Sequence, residues 1–107
     1  MAKAEIANKD NFNELVLESP GPVLVDFFAT WCGHCQKLLP LMDEVAADMD
    51  GKISVMKVNV DENQELASRY GVMSIPAFKI FKGGKIIKEL VGVQAKETLQ
   101  GELEKCL

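Results

Sequence analysis

Three cysteines occur in the chain, at positions 32, 35 and 106, and two of them stand in Trp31-Cys32-Gly33-His34-Cys35. Cysteines at that spacing, placed where a strand gives way to a helix, share the first helical turn and can close a small-loop disulfide. The first faces the unsatisfied N–H groups of the helix N-terminus, an end that carries roughly +0.5 elementary charge. That favours thiolate over thiol and lowers the pKa of Cys32. A thiolate is the attacking species in disulfide exchange, so Cys32 reads as the nucleophile. Cys35, one turn further in and more buried, reads as the thiol that resolves the mixed disulfide. The competing reading is a zinc half-site, which would need four Cys, His or carboxylate ligands. Beside this pair the chain offers one histidine and one distant cysteine. Redox chemistry is the better match, and no metal is expected.

The motif needs a strand before it and a helix after it, and the sequence supplies both. Val23 to Ala29 is rich in β-branched and aromatic residues with apolar positions of both parities, the pattern of a central strand buried on both faces. Leu38, Leu41, Met42, Val45 and Met49 recur at helical spacing, so a helix begins near Cys32 and runs to about Asp50-Gly51, with Pro40 inside it as a kink. Ahead of the site, Glu5 to Ala7 reads as a short strand. Asn8 then caps a helix carrying Phe12, Leu15 and Val16, which Ser19-Pro20-Gly21-Pro22 stops.

Behind the site, Ile53 to Val60 reads as a second buried strand, and Asp61 with Gln64 resembles a capping pair for a short helix ending at Gly71. Ala77 to Phe81, Gly83-Gly84 and Lys85 to Val91 form an antiparallel hairpin. A last helix places Leu99, Leu103 and Cys106 or Leu107 on one face, with Gly101 a weak point worth about 1 kcal/mol against alanine. Strands and helices in this order call for an α/β fold, a mixed sheet with helices on both faces and right-handed crossovers in its first half.

Composition limits the partners. The length suits one domain spanning residues 1–107, and 48% apolar with 26% charged residues is ordinary for a globular protein. Twelve Lys and Arg stand against 16 Asp and Glu, a net charge of -4 with no basic run, which argues against nucleic acid. The longest apolar stretch, Val23 to Ala29, is interrupted by Asp26 and falls far short of the ~20 residues that span a bilayer, so no membrane helix is expected. The opening Met1-Ala2-Lys3-Ala4-Glu5 places a glutamate where a secretory signal would be apolar. Three cysteines are also too few, and odd in number, for a disulfide-stapled secreted domain. Both points suggest the cytoplasm, and the acidic surface makes a monomer the default.

The chain resembles the thioredoxin family from end to end. The matching elements are Val25-Asp26-Phe27, Trp31-Cys32-Gly33-x-Cys35, Pro40, Lys57-Val58-Asn59-Val60-Asp61, Ile75-Pro76, the glycines at 83 and 84, and Gly92. The resemblance implies the thioredoxin fold, a mixed five-stranded sheet in order 1-3-2-4-5 flanked by four helices. It also implies a thiol–disulfide oxidoreductase that reduces disulfide-containing protein substrates. The redox group would be the Cys32–Cys35 disulfide with no bound cofactor, and a flavin-containing thioredoxin reductase using NADPH would supply electrons. The chain itself has no G-x-G-x-x-G to hold a dinucleotide.

Residue roles follow where positions match. Asp26 shares the parity of Leu24 and Phe28 in an apolar strand, so a buried carboxylate with a raised pKa is expected on physical grounds alone. The resemblance makes it the group that deprotonates Cys35, through water if the gap requires it, with Lys57 tuning it electrostatically. The plainer reading of Lys57 is a snorkelling surface lysine. Pro76 matches a cis proline that packs on the cysteine pair. Ile75 before it would offer backbone groups to an extended substrate segment. Trp31, Gly33, Met73, Ile75, Pro76, Gly92 and Val93 would together form a flat apolar docking patch. Cys106 reads as a small hydrophobe without a role.

Departures from the family pattern are Phe28 for a frequent tryptophan, Gln36 for a basic residue, Ala77 for a threonine, and His34 for the usual proline. Cys-Gly-His-Cys is typical of protein disulfide isomerases. A histidine there can donate to the Cys32 thiolate or place positive charge beside it, and stabilising the reduced form raises the potential. The expected value lies between the ~-270 mV of thioredoxin and the ~-180 mV of disulfide isomerase, which are general reference values. The alternative reading is therefore an oxidase or isomerase module, and a third is a binding subunit that holds partners without turnover.

Overall fold

A computed structural model of the chain describes residues 3–107. Its strands are β1 (Glu5–Ile6), β2 (Val23–Phe28), β3 (Ser54–Asn59), β4 (Ala77–Lys82) and β5 (Lys85–Val91). The helices are α1 (Gly33–Asp48), α2 (Gln64–Arg69) and α3 (Lys96–Glu104), with a wide helical turn at Asn13–Leu17. One sheet results, in the order β1-β3-β2-β4-β5. β3 runs parallel to β1 and β2, whereas β4 runs antiparallel to β2 and β5. The sheet is the mixed one the resemblance implies.

All six residues of β2 are buried, because each parity faces a different layer. Leu24 packs with Leu38, Met42 and Val45 of α1 and Leu99 and Leu103 of α3. Val23, Val25 and Phe27 pack with Phe12, Val16, Leu66 and Phe81 on the other side. There the rings of Phe12, Tyr70 and Phe81 lie 5.3–5.6 Å apart. Leu99 and Leu103 are fully buried, and truncating either to alanine would cost about 2–5 kcal/mol. Cys106 is half-buried against the same core and donates its S–H to the Glu102 carbonyl at 3.2 Å, while Leu107 is exposed.

Two local expectations change. The helix expected after Asn8 is a wide turn closed by the Glu18 N–H on the Asn13 carbonyl. The Asn8 side chain accepts instead from the N–H groups of Asp10 and Asn11 in a preceding turn. So short a segment, ended by two prolines, gains little from regular helix propagation, and it needs only to bury Phe12 and Val16. The capping pair expected at Asp61 is also absent, because α2 starts after Asn63 and has no side-chain cap. Asp61 spends its carboxylate elsewhere, as described below. Gly71, with φ 67°, ends this helix as expected, and Gly83 and Gly84, at φ 61° and 79°, form the hairpin turn that only glycine adopts without strain.

Candidate active site

β2 ends at Phe28 and α1 begins at Gly33, so the intervening loop delivers the cysteines to the carboxyl edge of the central strand. Cys32 is the residue that caps α1. Its backbone is extended, and its Sγ accepts the Cys35 N–H at 3.2 Å. The two cysteines are joined as a disulfide with their Cα atoms 5.2 Å apart. Exposure differs between them: Cys32 keeps 8% of its surface and Cys35 none. Phe28, Ala29, Leu39, Val60 and Ile75 pack around the pair. The Ala29 carbonyl accepts from the Cys32 N–H at 3.2 Å and from the Gln36 side chain at 3.3 Å, a hold on the loop that sequence reasoning missed.

Two residues before Phe28 in β2, Asp26 is completely buried, and neither carboxylate oxygen has a hydrogen-bond partner among the described residues. Burial raises its pKa to about 7, and the opposing attraction of Lys57 is the smaller effect. Lys57 stands in register with Asp26 on β3 and is half-buried. The expected raised pKa is thus produced by desolvation.

The remaining expected residues lie in the loops at the ends of the strands: Trp31, Gly33 and His34 in the motif, Met73, Ile75 and Pro76 ahead of β4, and Gly92 and Val93 after β5. Ile75-Pro76 is a cis peptide, Pro76 is buried, and its carbonyl accepts the Gly92 N–H at 2.8 Å, which brings the start of β4 and the end of β5 together. Ile75 is half-buried, and its own N–H and C=O are unpaired among the described residues. Trp31, Met73 and Val93 are exposed by 70%, 96% and 60%, unusually open for large apolar side chains. His34 and Gly33 are also exposed. The Trp31 indole N–H donates to Asp61 Oδ2 at 2.8 Å. Asp61 is therefore part of the site. In the sequence it stood at the end of the Lys57–Asp61 stretch that matches the family, but the only role read there for it was that of a helix cap.

A buried thiol beneath a slightly exposed one at a helix N-terminus, with an unpartnered carboxylate in the sheet below, defines a thiol–disulfide oxidoreductase. The comparisons agree. The Thioredoxin family model matches residues 3–105. Thioredoxin 1 of Nostoc sp. is 49% identical over 107 residues, all of both chains. The thioredoxin of Synechocystis sp. is 50% identical over 97 residues, 91% of each chain. The chloroplastic M-type thioredoxin of Chlamydomonas reinhardtii is 44% identical over 106 residues, 99% of this chain and 76% of that one. The chain belongs to the thioredoxin family and is a protein-disulfide reductase. Its redox group is the Cys32–Cys35 disulfide. Its partners are disulfide-bearing substrates and a reductase. The oxidase or isomerase reading is not favoured. Among the described residues no helix is long and apolar enough to cross a membrane.

Proposed function

We propose that the chain works as a one-domain electron carrier of the cytoplasm, recharged by an NADPH-dependent flavin reductase, and that it attacks substrates only through Cys32. The exposure difference within the cysteine pair carries this reading, since an incoming disulfide can reach Cys32 and not Cys35. In the reduced protein the Cys32 thiolate attacks one sulfur of the substrate disulfide. That bond breaks, a mixed disulfide forms, and the first substrate thiolate leaves and takes a proton from solvent. Asp26 takes the Cys35 proton, and the Cys35 thiolate attacks Cys32 Sγ. The mixed disulfide breaks, the second substrate thiolate leaves and is protonated, and two electrons have passed from the cysteine pair to the substrate.

Lys57 moderates the pKa of Asp26, so the carboxyl can both accept and return a proton near neutrality. Ile75 offers its unpaired N–H and C=O to an extended substrate strand. Trp31, Gly33, Met73, Pro76, Gly92 and Val93 supply the apolar surface around it, and His34 lies beside the nucleophile as a modest tuner of potential. The direct test is trapping. Cys35→Ser should accumulate a mixed disulfide with a protein substrate, and Cys32→Ser should form none. Equal trapping by both variants would contradict the assignment.

A further inference from the structure

Five methionines occur in the chain, and the four among the described residues divide sharply. Met42, Met49 and Met56 keep 0%, 5% and 5% of their surface, packed against the sheet, whereas Met73 keeps 96%. A thioether that open adds nothing to the core, so its apolar character serves only against a partner. Both flanks of the residue are fastened. The Val72 N–H donates to the Ala67 carbonyl at 2.8 Å and Val72 packs on the core, while Ile75, ahead of the cis Pro76, packs against the cysteine pair. The chain between them leaves the Met73 side chain in solvent.

That sulfur is an open target for a two-electron oxidant. In the disulfide form Cys32 and Cys35 are bonded to each other and neither is a thiolate, and Cys106 is half-buried. Resting on the proposed docking of substrates at this surface, we infer that Met73 is a reversible modification site, oxidised to the sulfoxide by peroxide, and that its oxidation weakens substrate docking while leaving the fold and the cysteine chemistry intact. Peroxide transfers one oxygen to Met73 Sδ. The O–O bond breaks, an S–O bond forms, the sulfur gives up two electrons and the peroxide leaves as water. A polar, chiral group then stands where an apolar one did. The same change at Met42 would force a polar oxygen into the core, and burial protects it. A methionine sulfoxide reductase reverses the step: the oxygen leaves as water and two thiols of that enzyme become a disulfide.

The test treats the full chain in its disulfide form with hydrogen peroxide, removes the peroxide with catalase, and follows insulin reduction with dithiothreitol as electron donor. Peptide mass mapping should place one added oxygen on Met73 at least about tenfold faster than on Met42, Met49 or Met56. KM for insulin should rise about three- to tenfold with kcat unchanged, the range for one apolar contact made polar, and Tm should move by less than about 1 °C. The two epimer-specific sulfoxide reductases together should restore the starting KM. Met73→Leu has no sulfur there and should show the same KM before and after treatment. An equal rise in treated Met73→Leu would overturn the proposal, as would a Met73 sulfoxide with the untreated KM. Untreated Met73→Gln, polar and of similar length, should match the oxidised protein. A wild-type KM in that variant would overturn docking at this residue and the proposal with it, whereas a raised KM in Met73→Gln beside a Met73 that peroxide leaves unmodified would overturn the modification alone.

Discussion

Asp26 and Asp48 are the same side chain driven in opposite directions. Asp26, two residues before Phe28 in β2, is completely buried with no hydrogen-bond donor among the described residues, and its pKa rises to about 7. Asp48, on the outer side of α1, accepts from Lys96 at 2.8 Å and Gln100 at 3.0 Å, and these donors hold its carboxyl below the usual 3.8. Lys96, which also meets Glu44 at 3.3 Å, is shifted upward by the same contacts. The second arrangement fastens α3 to α1. The first leaves a carboxyl unsatisfied, and that is what lets it exchange a proton near neutral pH.

The largest expected effect follows from Asp26. Its folded-state pKa lies above the ordinary 3.8, so between 3.8 and about 7 the folded protein holds a proton that the unfolded chain has released. Stability from this group is full below 3.8 and is lost as pH rises through about 7, and that gap corresponds to about 4 kcal/mol. Asp26→Asn is neutral throughout. In the disulfide form it should gain up to about that much over wild type at pH 8 and almost nothing at pH 3.5, in denaturant unfolding. Its reductase rate should lose the inflection near pH 7. A constant difference across pH would break the contrast with Asp48.

His34 asks whether an exposed side chain at the site matters as much as a buried one. His34→Pro should lower the potential of the Cys32/Cys35 pair by about 30 mV, measured in glutathione buffers, and an unchanged value would remove His34 from the account. Lys57→Met should move the Asp26 midpoint further upward, because it removes the smaller, opposing influence. A downward movement would reverse the assigned cause. Smallest of all, Lys96→Ala should change Tm by no more than about 2 °C, an effect that fades in high salt, because exposed pairs are well screened.

Much of this was legible in the residues. A short both-parity apolar run rich in β-branched and aromatic residues reads as a central strand, and an aspartate inside it as buried, so β2 and Asp26 came together. The periodicity from Leu38 to Met49 located α1, and adjacent glycines located the hairpin. Other features depend on partners far along the chain. Asp61 matched a local capping pattern, but the indole of Trp31 was the better-placed donor. Lys79 sits in a strand pattern that says nothing of its depth, and it is buried because Glu89, opposite it across the hairpin, pairs with its ammonium. The wide turn at Asn13–Leu17 likewise reflects what Phe12 and Val16 must reach, which helical spacing alone cannot distinguish from a regular helix.

Titration of the side-chain carboxyls by carbon-detected NMR in the disulfide form reads both aspartates in one experiment. The expected result is an Asp26 midpoint near 7 and an Asp48 midpoint below 3.8. An Asp26 carboxyl that titrates in the ordinary range beside Asp48 would mean that it is solvated or partnered in solution, and would contradict its role as the proton acceptor for Cys35.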